Sequence, residues 1–151
     1  MKTKCLITII ILVSIIAAGS YKFIIQGSTV QTADDRVTIL LDDNERNLVL
    51  AEMRAFLSSI QQINQGLSQN DMALVAASAR KSGNAARAGV PGSLVGKLPI
   101  EFKKLGGDTH AKFDQLAMDA EDMEDNNHTM QQLSTLMQNC VSCHAAYRID
   151  I

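Results

Sequence analysis

The sequence predicts an all-α protein, an antiparallel four-helix bundle behind an N-terminal membrane-anchor or signal helix. Three observations predict it. From Asp42 onward, apolar residues recur three and four apart, the spacing that lines one face of a helix. The segments between these runs are short, which makes successive helices antiparallel neighbours. The first 26 residues hold an apolar run preceded by Lys2 and Lys4 and stand apart from the fold. The chain divides into an N-terminal segment, 1–26, a linker or small hairpin, 27–42, and a four-helix domain, 43–151. A chain of 151 residues allows one domain of ordinary size.

The apolar run from Cys5 to about Gly19 could be a cleaved signal or a retained anchor. Ala17, Ala18, Gly19 and Ser20 offer a cleavage site. Tyr21, Phe23, Ile24 and Ile25 carry the hydrophobicity past it, broken only by Lys22, whose stem can snorkel. About 17–25 apolar residues span a bilayer, so the reading favours an anchor. Lys2 and Lys4 keep the N-terminus cytoplasmic and send the rest across the membrane. That predicts an anchored protein on the periplasmic side of a bacterial inner membrane, or a soluble periplasmic one if the segment is cleaved. Cys5 opens the apolar core of the segment, where a lipoprotein cysteine would follow it.

Residues 27–41 carry β-branched residues on either side of Ala33-Asp34-Asp35 and read as a small hairpin or an irregular leader. Asp42 and Glu45 form a capping box, and Val49, Met53, Phe56, Ile60, Ile63 and Leu67 then define a helix over about 43–68. Asn70 caps a second helix over about 71–87, with a small-residue face and a weak point at Gly83. Gly89, Pro91 and Gly92 make a loop. Pro99 opens a third helix, marked by Phe102, Leu105, Thr109, Phe113, Leu116, Ala120 and Met123, in which Gly106-Gly107 predicts a kink. The fourth carries Met130, Leu133, Met137, Cys140, His144 and Tyr147 along one stripe.

That stripe contains CVSCH, residues 140–144. Three chemistries use such a string. A redox dithiol wants its first Cys at a helix N-terminus after a strand, and no strand is evident upstream. A zinc site wants four ligands, and only His110 and His128 could complete it, without forming a second close pair. Covalent haem attachment needs two thiols to form thioethers with vinyl groups and an adjacent imidazole for iron. Cys140, Cys143 and His144 meet that demand in full, so the expected cofactor is one haem c. His110 reads as a partly exposed surface residue, His128 as a turn or first-turn residue, and Arg148 as a propionate contact or an exposed base. The net charge of −2, 4 % aromatic residues and scattered Lys and Arg exclude a nucleic-acid partner.

With CxxCH in the last helix, followed by Tyr147-Arg148, the sequence resembles the cytochrome c′ family over about residues 43–150. The resemblance is specific in the last ten of these residues. It implies a four-helix haem protein with haem on Cys140 and Cys143 and His144 as proximal ligand. It further implies that the first helix supplies the residue across the haem. Low-spin relatives place a Met there and high-spin ones a Leu or another non-coordinating side chain. Met53 lies on the main apolar stripe, whereas matching Arg46 to the basic residue that often precedes the distal position by four selects Leu50.

A saturated Met/His iron suits electron transfer, which leads this reading, and an open distal position suits binding or sensing of gases such as NO or CO. Catalysis would need acid and base groups that the first helix does not offer at its facing positions, so no enzyme is expected. A haem-free helical adaptor is the non-redox alternative. The partners this reading allows are an unidentified redox protein, the membrane through the N-terminal helix, and a second copy of the chain.

Overall fold

The computed structural model describes residues 2–150. The fold is mostly α-helical with one small sheet. α1 spans Lys2–Ser20 and widens into π-type turns over Tyr21–Gln26. β1, Thr29–Gln31, and β2, Val37–Leu40, form the hairpin that the β-branched residues suggested. Asp35 takes the left-handed conformation at its turn, and Arg36 clasps the Asp34 carboxylate at 2.6 Å. Four helices carry the core: α2, Asp43–Gln69; α3, Met72–Arg80; α5, Ile100–Met123; and α6, Asn126–Ala146. Between α3 and α5 lie a 3₁₀ turn, Asn84–Arg87, and the short helix α4, Gly92–Lys97. β3, Tyr147–Asp150, pairs in parallel with β2.

Contacts run from α2 to α3, α3 to α5 and α5 to α6, while α6 and α2 touch only sparsely. Gly66 lets α3 cross α2 closely, since a Cβ there would lie 2.7 Å from Val75 Cγ2 and 2.9 Å from the Asp71 carbonyl oxygen. The capping box holds as read: Asp42 accepts from the Glu45 amide at 3.0 Å, and Glu45 accepts from the Asp42 amide at 3.3 Å.

Several expectations need correction. Asn70 adopts the left-handed conformation and ends α2, a role Asn tolerates, while Asp71 caps α3 by accepting from the Leu74 amide at 2.8 Å. The second helix stops at Arg80 rather than near residue 87, because α5 captures the groups beyond it. Asp114 accepts from the Asn84 amide at 2.9 Å, and the Ser82 and Gly83 carbonyls turn to His110. α5 keeps its helical hydrogen bonds through Gly106-Gly107. Tyr147 begins a strand and does not extend the α6 stripe.

Among the described residues one helix, over Lys4–Gln26, is long and apolar enough to cross a membrane or act as a signal sequence, and it lies wholly outside the core. Its C-terminal end is hydrogen-bonded to the domain. Lys103 Nζ donates to the Ile24 carbonyl at 2.9 Å, and the Ser28 amide donates to the Lys97 carbonyl at 2.7 Å. Gly27 sits between these contacts at φ 68°, where a Cβ would come within 2.3 Å of the Lys97 oxygen. Gly27→Ala is therefore expected to lower stability by about 1–3 kcal/mol from backbone strain alone. It should also expose the 26–28 peptide bonds to protease; an unchanged melting temperature and digestion pattern would refute the requirement for glycine at this junction.

Candidate functional site

α6 begins at Asp125, whose carboxylate accepts from the Asn127 and His128 amides at 2.9 and 3.0 Å, so His128 stands in the first helical turn. Thr129, Leu133, Leu136 and Asn139 form the buried face. Cys140 and Cys143 continue it, half-buried. Met130, Met137 and Val141 lie on the exposed side, and His144 is exposed as well. The stripe read from the sequence was thus rotated toward solvent: its two methionines and His144 face outward, while the thiols face in. The helix closes where the Tyr147 amide donates to the Cys143 carbonyl, and the Tyr147 ring meets Phe102 edge-on at 5.3 Å.

At this level the apolar core is interrupted. One cluster holds Phe56, Ile63 and Leu67 of α2, Phe113 and Leu116 of α5, and Leu133 and Leu136 of α6. A second holds Ile39, Leu41, Val49, Leu94 and Leu98, with Phe102, Tyr147 and Ile149 packed on it. Along α6, Cys140 and Cys143 fall between the residues of the two clusters. Along α2, Met53 falls between them and is the one partly buried apolar residue, among those described, that packs against both. Leu50 and Arg46 are half-buried on the same helix.

Burial pushes the Cys143 thiol up to about 11 and raises Cys140 in the same direction. A nucleophilic dithiol needs a lowered pKa and a helix N-terminus, and both cysteines sit in the last two turns of α6. Among the described residues no three His, Cys, Asp or Glu side chains converge as a metal cage. Were a haem bound, Cys140 and Cys143 would be the thiols to hold it, and the exposed His144 would be the imidazole to supply. Two thiols share one face, beside an interruption of the apolar core, and an imidazole follows at position 144. Arg148 on β3 is engaged by Asp150 at 3.0 Å and lies 3.9 Å from Asp34.

His110 is the clearest residue misread from sequence: it is buried, at 3 % exposure. Its Nδ1 lies 2.8 Å from the Ser82 carbonyl oxygen and 3.2 Å from that of Gly83, so Nδ1 carries a hydrogen. Its Nε2 lies 3.2 Å from Glu52 Oε1, and Phe56 meets the ring at 5.0 Å. With Nδ1 donating, a contact between Nε2 and a carboxylate requires one more proton, held by His110 or by Glu52. The signal that could have found this was the width of the α5 face, where Thr109, His110, Phe113, Leu116 and Ala117 are all buried. Glu52 and His110 both border a cavity of about 810 Å³ between α2, α4 and α5. Cys140, Cys143, His144 and Met53 do not line it.

Comparison with protein-family models, curated proteins and solved structures gives no match.

Burial pulls the His110 imidazole down, but Glu52 and the Ser82 carbonyl outweigh that and Arg87, so its pKa is raised above the usual histidine value of 6.5. A raised folded-state pKa means stability that is complete below the unfolded value and lost as pH rises through the folded one. The melting temperature should therefore fall on going from pH 6 to pH 8. Glu52→Gln should flatten that fall, and an equally steep profile in the variant would show that another group titrates.

Proposed function

We propose that this chain is a c-type cytochrome that binds one haem through Cys140 and Cys143 and transfers single electrons on the periplasmic side of a bacterial inner membrane. The observation that carries this reading is the coincidence of CVSCH with the interruption of the core. A helix that buries Leu133 and Leu136 in one apolar cluster and is followed by Tyr147 in the other carries the buried Asn139 and then the two half-buried thiols between them. Cys140 and Cys143 would anchor an apolar macrocycle there by adding their S–H bonds across its vinyl groups. His144 would supply a neutral imidazole to iron. When bound, haem supplies a one-electron couple at its iron.

The chain's own residues support electron transfer ahead of the alternatives. Met53 lies between the two clusters and offers a thioether as sixth ligand, and a Met/His pair raises the potential and leaves no open position. Phe102 and Tyr147 meet edge-on just beyond the end of α6. The apolar Lys4–Gln26 helix, with Lys2 before it and Lys4 at its head, would hold the domain on the membrane face where such haem attachment occurs. As an anchor it should leave the protein in the membrane fraction, released by detergent and not by salt.

A haem stain on a denaturing gel tests attachment. The unmutated protein, produced with its N-terminal segment in a host that matures c-type cytochromes, should stain, and Cys140→Ala/Cys143→Ala should not. Covalent haem in the double variant would falsify the assignment. EPR and optical spectra test the sixth ligand. The ferric protein should be low-spin, and Met53→Leu should convert it to high-spin, lower its potential and admit exogenous ligands. If the unmutated ferric protein is already high-spin and five-coordinate, Leu50 becomes the distal residue and binding of small gases replaces electron transfer.

A further inference from the structure

We propose that the cavity between α2, α4 and α5 binds a membrane-soluble hydroquinone or its quinone, entering from the bilayer side. The site is separate from the CxxCH helix and goes beyond the function proposed above. At about 810 Å³ it has the volume of a small-molecule site, and its mostly apolar surface is edged by charged groups that include Glu52, Arg87 and Lys103.

Its position points to the membrane. Lys103, on its rim, donates to the carbonyl of Ile24 inside the apolar span and approaches that of Val95 on α4 at 3.5 Å. Val90 and Val95 remain 41 % exposed on the same rim, next to the end of that span. A ligand leaving the bilayer at Gln26 would reach the mouth without crossing much water.

Its chemistry points to a ring with a hydroxyl or carbonyl head. Val49, Leu94, Leu98 and Phe102 provide apolar walls. Glu52, held by His110 through Oε1 at 3.2 Å, has a second carboxylate oxygen that can accept from a ligand, whereas both His110 ring nitrogens are already engaged. A hydroquinone hydroxyl donates to a carboxylate, and a quinone carbonyl accepts from a guanidinium such as that of Arg87, which also lines the cavity.

Gly106-Gly107 supplies an independent indication. Both sit inside α5, neither has a positive φ, and each costs helix stability relative to Ala. A Cβ on Gly106 would meet nothing within 4 Å, and one on Gly107 would meet only Arg87 Nη1, at 3.6 Å. Packing therefore does not require either glycine. Both line the cavity, where missing side chains make room for a ligand.

The test is calorimetric titration of the full-length protein in lipid nanodiscs with a decyl-substituted benzohydroquinone kept reduced under argon, using empty discs to measure partition. Saturable binding of one hydroquinone per chain is expected above partition. Glu52→Gln should weaken it about tenfold, the scale of one hydrogen bond to a charged group. Gly107→Leu should abolish it with the melting temperature unchanged or raised. Heats that match empty discs would overturn the proposal. So would both variants binding within about twofold of the unmutated protein, or a tightly retained phospholipid that the hydroquinone cannot displace. If Gly107→Leu fails to fold, Glu52→Gln decides.

Discussion

Everything above Arg80 follows from one constraint, the shortness of α3. α2 and α5 run for 27 and 24 residues, roughly 40 and 36 Å, whereas α3 runs for nine, roughly 14 Å. Where all four helices overlap, small residues such as Ala76, Ala79, Ala117 and Ala120 bring them together and the core is continuous. Beyond that level one corner has no long helix, and the chain fills it with a 3₁₀ turn, a loop and α4. A cavity remains where that substitute is thinner than a helix.

Lys97 holds the substitute in place. Its ammonium lies 2.5 Å from Glu45, which is 6 % exposed, and 3.3 Å from Asp42, so α4 is tied to the capping box of α2. Its carbonyl takes the Ser28 amide at the foot of the membrane helix. One residue thus links the N-terminal helix, α4 and α2. Removing the ammonium would leave the buried Glu45 carboxylate without its counter-charge, a cost larger than that of losing a surface ion pair.

What could be read from the sequence was local. α2 ends one residue from its expected limit because its apolar period is uninterrupted and its start is chemically marked by Asp42 and Glu45, while Asn70, expected as the cap of the next helix, closes this one. Of the ligands expected on the buried stripe of α6, Cys140 and Cys143 are half-buried and His144 is exposed. α4 was missed because six residues are too few to show a period. His110 was misplaced because its burial depends on Ser82 and Gly83, carbonyls that become free only once α3 has stopped. Met130 and Met137 look like core residues in a pattern, yet they lie outward because α6 barely touches α2. Gly106-Gly107 predicted a kink, whereas a helix supported on two sides carries the pair without interruption.

The parallel pairing of β2 with β3 has a consequence for the order of assembly. Val37 meets Tyr147, roughly 110 residues later, so the central strand of the sheet lacks one neighbour until α6 has formed and turned back. The β1–β2 hairpin and the helices can form from nearer contacts, but the sheet cannot close before them. CVSCH immediately precedes the strand that closes it. The C-terminal end of α6 is therefore fixed in place last, when Tyr147 comes into register opposite Val37.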